Sequence, residues 1–334
     1  MMDKWYEGKT SNSDVVMYST VRLMRNLADT VFPSRMNDEQ YRSVAKRAFA
    51  CIKNSPLAKE FDMLNLNELS KAKALSYADK RLVDEDFVRS QSPSYMLLSQ
   101  NEDVSVMLSN EDHIEITAYS CGDDLSQAYN KANDIDDIFI SGLKIAFSEK
   151  YGFLTASPVN LGTGMRASFL LHLPALAQGK LINKLSGMVA KLGFSLRPMY
   201  DGALGDIYVL TNQVTLGITE KASFDNATAV CSQVVAQERR AREVLMQSND
   251  FEDKIYRTLG ILKLARRLNV DEFLNSISLV RLGIAMGYFD YSYSLIGEMI
   301  HNLFDATLVD SSKSDLSKEM CESLRAQIVR EKLG

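Results

Sequence analysis

Alternation of apolar and polar residues stops near residue 223, and from about Phe224 to the end of the 334-residue chain only helical periodicity remains. That break constrains the fold more than any other feature. Upstream, short runs with a period of two are separated by turn residues and by a few amphipathic stretches. Downstream, apolar residues recur at three- and four-residue steps. The chain therefore reads as α+β: a domain over residues 14–223, an antiparallel sheet with helices, then an all-helical domain over 224–334.

Strands are expected over residues 96–99, 104–108, 113–117, 194–200 and 207–210, with a further extended run over 214–218 after a turn. Asn37-Asp38-Glu39 caps a helix running to about Lys53, and Asp123-Asp124 caps a longer one that reaches Tyr151-Gly152. Its apolar face is Leu125, Ala128, Ala132, Ile135, Ile138, Phe139 and Ala146. In the helical part, Ala227, Val230, Val234, Ala241 and Leu245 form a buried side opposite the charged run 237–243. Further helices are expected near 251–267, 271–286, 292–306 and 314–333, the last burying Leu316, Met320, Leu324 and Ile328.

Composition excludes several classes. Hydrophobic residues make up 46%, enough for a sizeable core, and the net charge of −5 with scattered basic residues gives no nucleic-acid stripe. Cys51, Cys121, Cys231 and Cys321 are far apart without a CxxC pair, so neither a metal site nor a disulfide framework is indicated. A reducing cytoplasm fits that pattern. Residues 1–14 are polar, read as loose and lack the apolar core of a signal peptide. No apolar run is long enough for a membrane span.

Three stretches carry candidate chemistry. Ser109-Asn110-Glu111-Asp112 separates two alternating runs as a hairpin turn, placing two carboxylates at a sheet end, with His113 and Glu115 on one face. An acidic turn is by default a solvated one. Residues 18–26 carry Arg22 and Arg25, which by default are solvated surface charges. Gly162-Thr163-Gly164 before Arg166 can turn its amides toward an anion, although an ordinary glycine turn is the default. His172, between apolar neighbours, reads as a core histidine.

Taken in order, these stretches become specific. An arginine-bearing segment, the Glu-Asp-His hairpin, Asn160-Leu-Gly-Thr-Gly-Met-Arg-Ala-Ser168, Leu171-His-Leu-Pro-Ala-Leu176, then Arg197 before a short loop together resemble the phosphagen (guanidino) kinases. With the helical tail and the stretches 237–243, 280–284 and 324–326, the chain is most similar to their bacterial protein-arginine kinase branch. The resemblance implies a glutamine-synthetase-like catalytic sheet and ATP-dependent phosphorylation of exposed arginines in proteins, with Mg2+. It also implies a zinc-binding activator protein, an AAA+ protease partner and a homodimer.

By the same resemblance, Glu111 takes the place of the catalytic carboxylate and Asp112 that of its neighbour. Arg22, Arg166 and Arg197 match phosphate-binding arginines, and Ser19, Ala167 and Ser168 belong to the same nucleotide-binding stretches. Arg81 aligns with a nucleotide-contacting histidine, and Ser157 with a substrate-side cysteine. Two further clamp arginines are replaced, by Thr20 and by Glu115. The loop after Arg197 is shorter and lacks a second glutamate, leaving Asp201 as the nearest substitute. A phosphoarginine-reading motif of the tail survives only as Cys321-Glu322-Ser323-Leu324-Arg325-Ala326. If the fold brings them together, Arg81 either neutralises Glu115 or supplies a displaced phosphate contact. A weakened kinase is one reading; an inactive relative that binds nucleotide, phosphoarginine or a partner protein is the other. A kinase for a free guanidino compound is disfavoured by the tail.

Overall fold

The computed structural model describes residues 4–247 and 249–334. Elements follow in chain order: β1 (Val16–Arg25), α1 (Asp38–Lys53), β2 (Phe61–Asn65), α2 (Lys71–Asp79), α3 (Glu85–Arg89), β3 (Tyr95–Ser99), β4 (Val104–Leu108), β5 (Ile114–Cys121) and α4 (Leu125–Gly142). A small ribbon of β6 (Phe147–Ser148) and β7 (Gly152–Phe153) leads to β8 (Met165–His172), α5 (Pro174–Gln178), α6 (Ile182–Lys191), β9 (Phe194–Pro198) and β10 (Ile207–Asn212). Six helices close the chain: α7 (Glu220–Leu245), α8 (Asn249–Leu264), α9 (Val270–Ala285), α10 (Tyr293–Asn302), α11 (Asp305–Ser312) and α12 (Lys318–Leu333).

One eight-stranded sheet, in the order β2-β3-β4-β5-β1-β8-β10-β9, organises the first part. Every neighbouring pair in it is antiparallel. One face buries Val21, Leu23, Ala167 and Phe169 against α1, α4, α6 and α7, with Phe139 of α4 and Val234 of α7 in the same core. Burying a side chain such as Phe139 contributes roughly 1.5–3 kcal/mol. The opposite face is covered at two places. Met96, Leu98, Met107 and Tyr119 pack under Tyr77, Leu82, Val83 and Phe87, while Leu170 and Ile207 pack under the helical tail. Between those two covers the face is left open, and there the cleft forms.

Local signals account for several boundaries. Asn37 and Gln40 make a reciprocal capping box at the start of α1, and Asp124 caps α4 through the Gln127 amide. Some expectations fail for tertiary reasons. The helix from Asp124 stops at Gly142, because the chain turns into the β6–β7 ribbon. No strand forms over 214–218; that segment instead braces the glycine loop, with the Thr215 carbonyl accepting from the Thr163 amide at 3.0 Å. In α12 the buried side is Cys321, Arg325, Ala326, Val329 and Leu333, while Met320 is 52% exposed. α11 is a separate helix between the last two expected ones. From Lys4 onward the N-terminal segment is packed, not loose: Trp5 is buried and stacks on Tyr119 with ring centroids 5.1 Å apart. The four cysteines are free. No helix among the described residues is long and apolar enough to cross a membrane.

Candidate active site

Strand β1 decides which arginines reach the cleft. A period of two sends residues an odd number apart to opposite faces. Tyr18, Thr20 and Arg22 therefore line the cleft, while Val21, Leu23 and Arg25 face the helices. Arg25 is not a surface charge: it is 1% exposed, donates to Asp136 at 2.6 Å and 3.0 Å and lies over the Phe153 ring. The same alternation turns Ser19 and Ala167 away from the cleft. The Ser19 hydroxyl bonds Ser120 at 2.9 Å, and Ala167 is core.

Strand register then aligns the cleft residues. Arg22 lies opposite Arg166 of β8, and Thr20 opposite Ser168. Arg197, on β9, lies opposite Val209 and lines the same cleft, whose volume is about 780 Å³. Like charges directly opposite on one sheet face repel, so this surface suits an anion. Arg166 is oriented by neighbouring loops: Nε donates to Asn160 at 2.9 Å, Nη2 to the Val159 carbonyl at 3.1 Å, and Nη1 to the Asn212 carbonyl. Burial pulls the Arg166 pKa down, and Arg197 pulls the same way, while Glu111 opposes them.

The hairpin turn is built by Glu115. Its Oε1 accepts the backbone amides of Glu111 at 2.9 Å and Asp112 at 3.1 Å. Its Oε2 lies 3.5 Å from Arg22 Nη1. Ser109, with φ of 64°, closes the turn by donating to the His113 carbonyl at 2.9 Å. The carboxylate of Glu115 is therefore spent on the turn and on Arg22. Arg81 is not its partner; that guanidinium stacks over the Tyr200 ring, 5.0 Å from its centroid, at another wall of the cleft. His113 and Glu115 have separate surroundings as well, since His113 bonds the Leu27 amide and the Val31 carbonyl.

Glu111 is exposed at the tip of this turn. Burial raises its pKa, Asp112 and Asp84 push the same way, and Arg22 and Arg166 oppose them. Both guanidiniums thus act on this one carboxylate. Asp112 has a different placement. It is fully buried, its Oδ1 accepting from Asn26 Nδ2 and from the Ala156 amide at 2.7 Å. It ties the turn to the loop that carries Ser157, which precedes the short 3-10 turn Pro158–Asn160.

Other candidates lie apart from this constellation. Asp201 is exposed and does not line the cleft. Its loop is pinned to α9, where the Gly205 amide donates to Asn275 at 3.0 Å. Gly205 has a φ of 70°, and an added Cβ would lie 3.2 Å from the Leu274 carbonyl oxygen. In the tail, Arg325 is fully buried and donates to the Leu303 and Leu268 carbonyls at 2.7 Å and to Asp305. Glu322 pairs with Arg267 at 2.7 Å. Both residues of the tail motif therefore hold the helices together.

Three site residues escape sequence reasoning. Asp84 grips Arg22 with both carboxylate oxygens, each at 3.3 Å, and accepts from Asn110 at 3.1 Å. Asn160 and Asn212 orient β8 from outside it: Asn160 by holding Arg166, Asn212 by bonding the Ala167 amide at 2.8 Å. Only Asn160 has a local signal, as the first residue of the glycine-loop stretch.

Comparison with known proteins places the chain in a family. The profile of the ATP:guanido phosphotransferase C-terminal catalytic domain matches residues 43–241, and that of the protein-arginine kinase McsB C-terminal domain matches 248–334. A protein-arginine kinase of Clostridium tetani is 33% identical over 99% of each chain, and one of Clostridium kluyveri 36% identical over 100% of this chain and 99% of its own. Among solved structures, lombricine kinase superposes with a TM-score of 0.61 at 15% identity, over 71% of this chain and 69% of its own. A duplicated taurocyamine kinase from Schistosoma mansoni, with bound transition-state-analogue components, gives 0.61 at 21% identity over 69% of this chain, which spans only 34% of that protein. The chain belongs to the ATP:guanido phosphotransferase family, in its protein-arginine kinase branch.

Proposed function

We propose that the chain transfers the γ-phosphoryl group of MgATP to arginine side chains of proteins. The observation that carries this reading is that Arg22, opposite Arg166 on the sheet, shares one cleft with Arg166 and Arg197, and that Glu115, 3.5 Å from Arg22, also holds the backbone amide of Glu111. A guanidinium is a poor nucleophile, because it is protonated and its lone pairs are delocalised. Glu111 orients it and accepts its proton as the P–N bond forms and the bond from phosphorus to the ADP oxygen breaks. A carboxylate whose pKa is raised is the better base for that step. Arg22, Arg166 and Arg197 meet the charge that spreads over the phosphoryl oxygens. In this reading magnesium comes with the nucleotide, as part of the substrate. Residues 14–223 carry the chemistry in this reading, and 224–334 form a helical unit whose first helix, α7, is fixed to the sheet core. Cytoplasmic location, a zinc-binding activator, an AAA+ protease partner and a homodimer belong to the same proposal, supported by the resemblance alone.

Two residues tune the site. Glu115 acts as a positioning residue, because it holds the amides that present Glu111. Glu115→Ala is expected to lower kcat by about 10²-fold, the scale of a 1 Å misplacement, without weakening ATP binding by calorimetry. A wild-type kcat in that variant counts against the role. Asp84 competes with phosphate for Arg22. Releasing a half-exposed pair of this kind is worth about 0.2–1 kcal/mol, so Asp84→Asn is expected to tighten ATP binding by about 1.4- to fivefold; weaker binding would contradict it.

The second reading, a non-catalytic nucleotide or partner module, is favoured by one observation: Arg22 is already held by Asp84 and Glu115. The deciding experiment incubates purified protein with MgATP and an arginine-rich acceptor and follows ³¹P NMR at alkaline pH, since the P–N bond is acid-labile. A phosphoramidate resonance is expected. A thermal shift with ATP but no resonance favours the nucleotide-binding module, and neither signal overturns the kinase reading.

A further inference from the structure

A second cavity, of about 50 Å³, lies where the N-terminal segment, the sheet and the helical tail meet. It adjoins the cleft, since Tyr18, Arg81 and Leu170 line both. Its remaining walls include Trp5, Arg281 of α9, His301 of α10 and Asp79 of α2, a carboxylate that accepts from Thr307 and whose pKa burial raises to about 6. Arg281 is 3% exposed. Its Nη2 donates to the Ser13 carbonyl at 2.6 Å, and its Cζ lies 4.7 Å from the centre of the Tyr293 ring. Among the described residues its Nε and Nη1 have no hydrogen-bond partner, and neither do Trp5 Nε1 and His301 Nε2. Among the described residues Arg281 forms no ion pair.

These open valences have one sign. Arginine and indole N–H groups only donate. His301 is held neutral by burial, its pKa pushed down to about 3, and a neutral ring can donate from Nε2. Arg81 adds a second guanidinium to the cavity wall. Burial pulls the Arg281 pKa down to about 10, with Tyr293 and Asp14 opposing without a salt bridge; a buried guanidinium with no close ion-pair partner is destabilising, and proteins pair such groups. The space suits a small partner: at 10–15 Å³ for each water-sized atom, it holds about three to five.

We propose that this cavity binds a small oxyanion, a phosphate or a carboxylate, whose oxygens accept from Arg281, Trp5 and His301. Occupancy joins the N-terminal segment to α9 and α10 beside the cleft. The proposal does not rest on the kinase reading, because no cleft carboxylate or phosphoryl chemistry enters it.

The chain contains a single tryptophan, Trp5, so its emission reports directly on the site. The full-length protein is titrated at constant ionic strength with inorganic phosphate and, in parallel, with sodium acetate, following Trp5 fluorescence and the melting temperature. A saturable emission change with a rise in melting temperature is expected from at least one; which anion saturates identifies the class. Arg281→Lys keeps the charge but loses the planar fork, and is expected to weaken the response at least tenfold while far-UV circular dichroism stays native. Arg166→Ala, in the cleft, leaves the response intact. No saturable change with either anion, wild-type binding by a folded Arg281→Lys, or loss of the response in Arg166→Ala overturns the proposal.

Discussion

Glu111→Gln is expected to lower kcat for arginine phosphorylation by about 10²–10⁴-fold, the contribution of a positioned general base. The substitution keeps the size and one oxygen acceptor of the side chain and removes its ability to take the proton. ATP binding should persist, because Arg22, Arg166 and Arg197 do not depend on Glu111 for their placement. Arg166 is held by Asn160 and two carbonyls, and Arg22 by Asp84 and Glu115. The pH profile gives an independent check. Burial, then Asp112, raises the Glu111 pKa. A protonated carboxyl cannot accept a proton, so kcat/KM of the wild type falls as pH drops through that raised pKa, with its acidic limb above the ordinary carboxylate range. In Glu111→Gln that limb should vanish. A variant with wild-type kcat and an unchanged profile would remove Glu111 from the chemistry.

Arg25→Met carries the largest expected effect on stability, a loss of about 3–5 kcal/mol measured by chemical denaturation. Arg25 lies between β1 and α4, bonding Asp136, the Met24 carbonyl and the Thr163 carbonyl, the last two at 3.0 Å. Glu220 of α7 approaches it at 3.6 Å. Methionine fills much of the space but leaves Asp136, 3% exposed, without its counter-charge. Burial already raises the Asp136 pKa, against the opposing pull of Arg25; without Arg25 the charged form becomes still less favourable. The double variant Arg25→Met, Asp136→Leu should recover most of the loss, since an apolar pair of similar volume often matches a buried ion pair. A single variant within about 1 kcal/mol of wild type would show that the pair holds little.

Much of the fold was legible from local signals. The caps at Asn37 and Asp124, the hairpin around residue 110 and the change of texture near 223 each depend on nearest neighbours. Arg22, Arg166, Arg197 and Glu111 were legible too, though only through resemblance in order, because each motif alone is weak. What failed has a common cause. Arg22 and Arg25 look alike in sequence, three residues apart, yet the period of two puts one in a cleft and the other in a core. Arg325 stands in a motif that resembles a ligand reader, but three helix-end oxygens occupy its guanidinium. Glu115 was expected to put an uncompensated negative charge where the clamp needs a positive one, and that charge is instead taken up by two turn amides and Arg22.

The sequence by itself determined the two textures, the alternating and the helical, and the order of chemistry-bearing stretches along the chain, because periodicity and turn residues act over a few positions. Only the tertiary structure decided which of the charges face one another. That depends on strand register, which sets Arg22 opposite Arg166, and on carboxylates distant in sequence, Asp84 and Asp136, which choose their arginines after the chain has closed on itself.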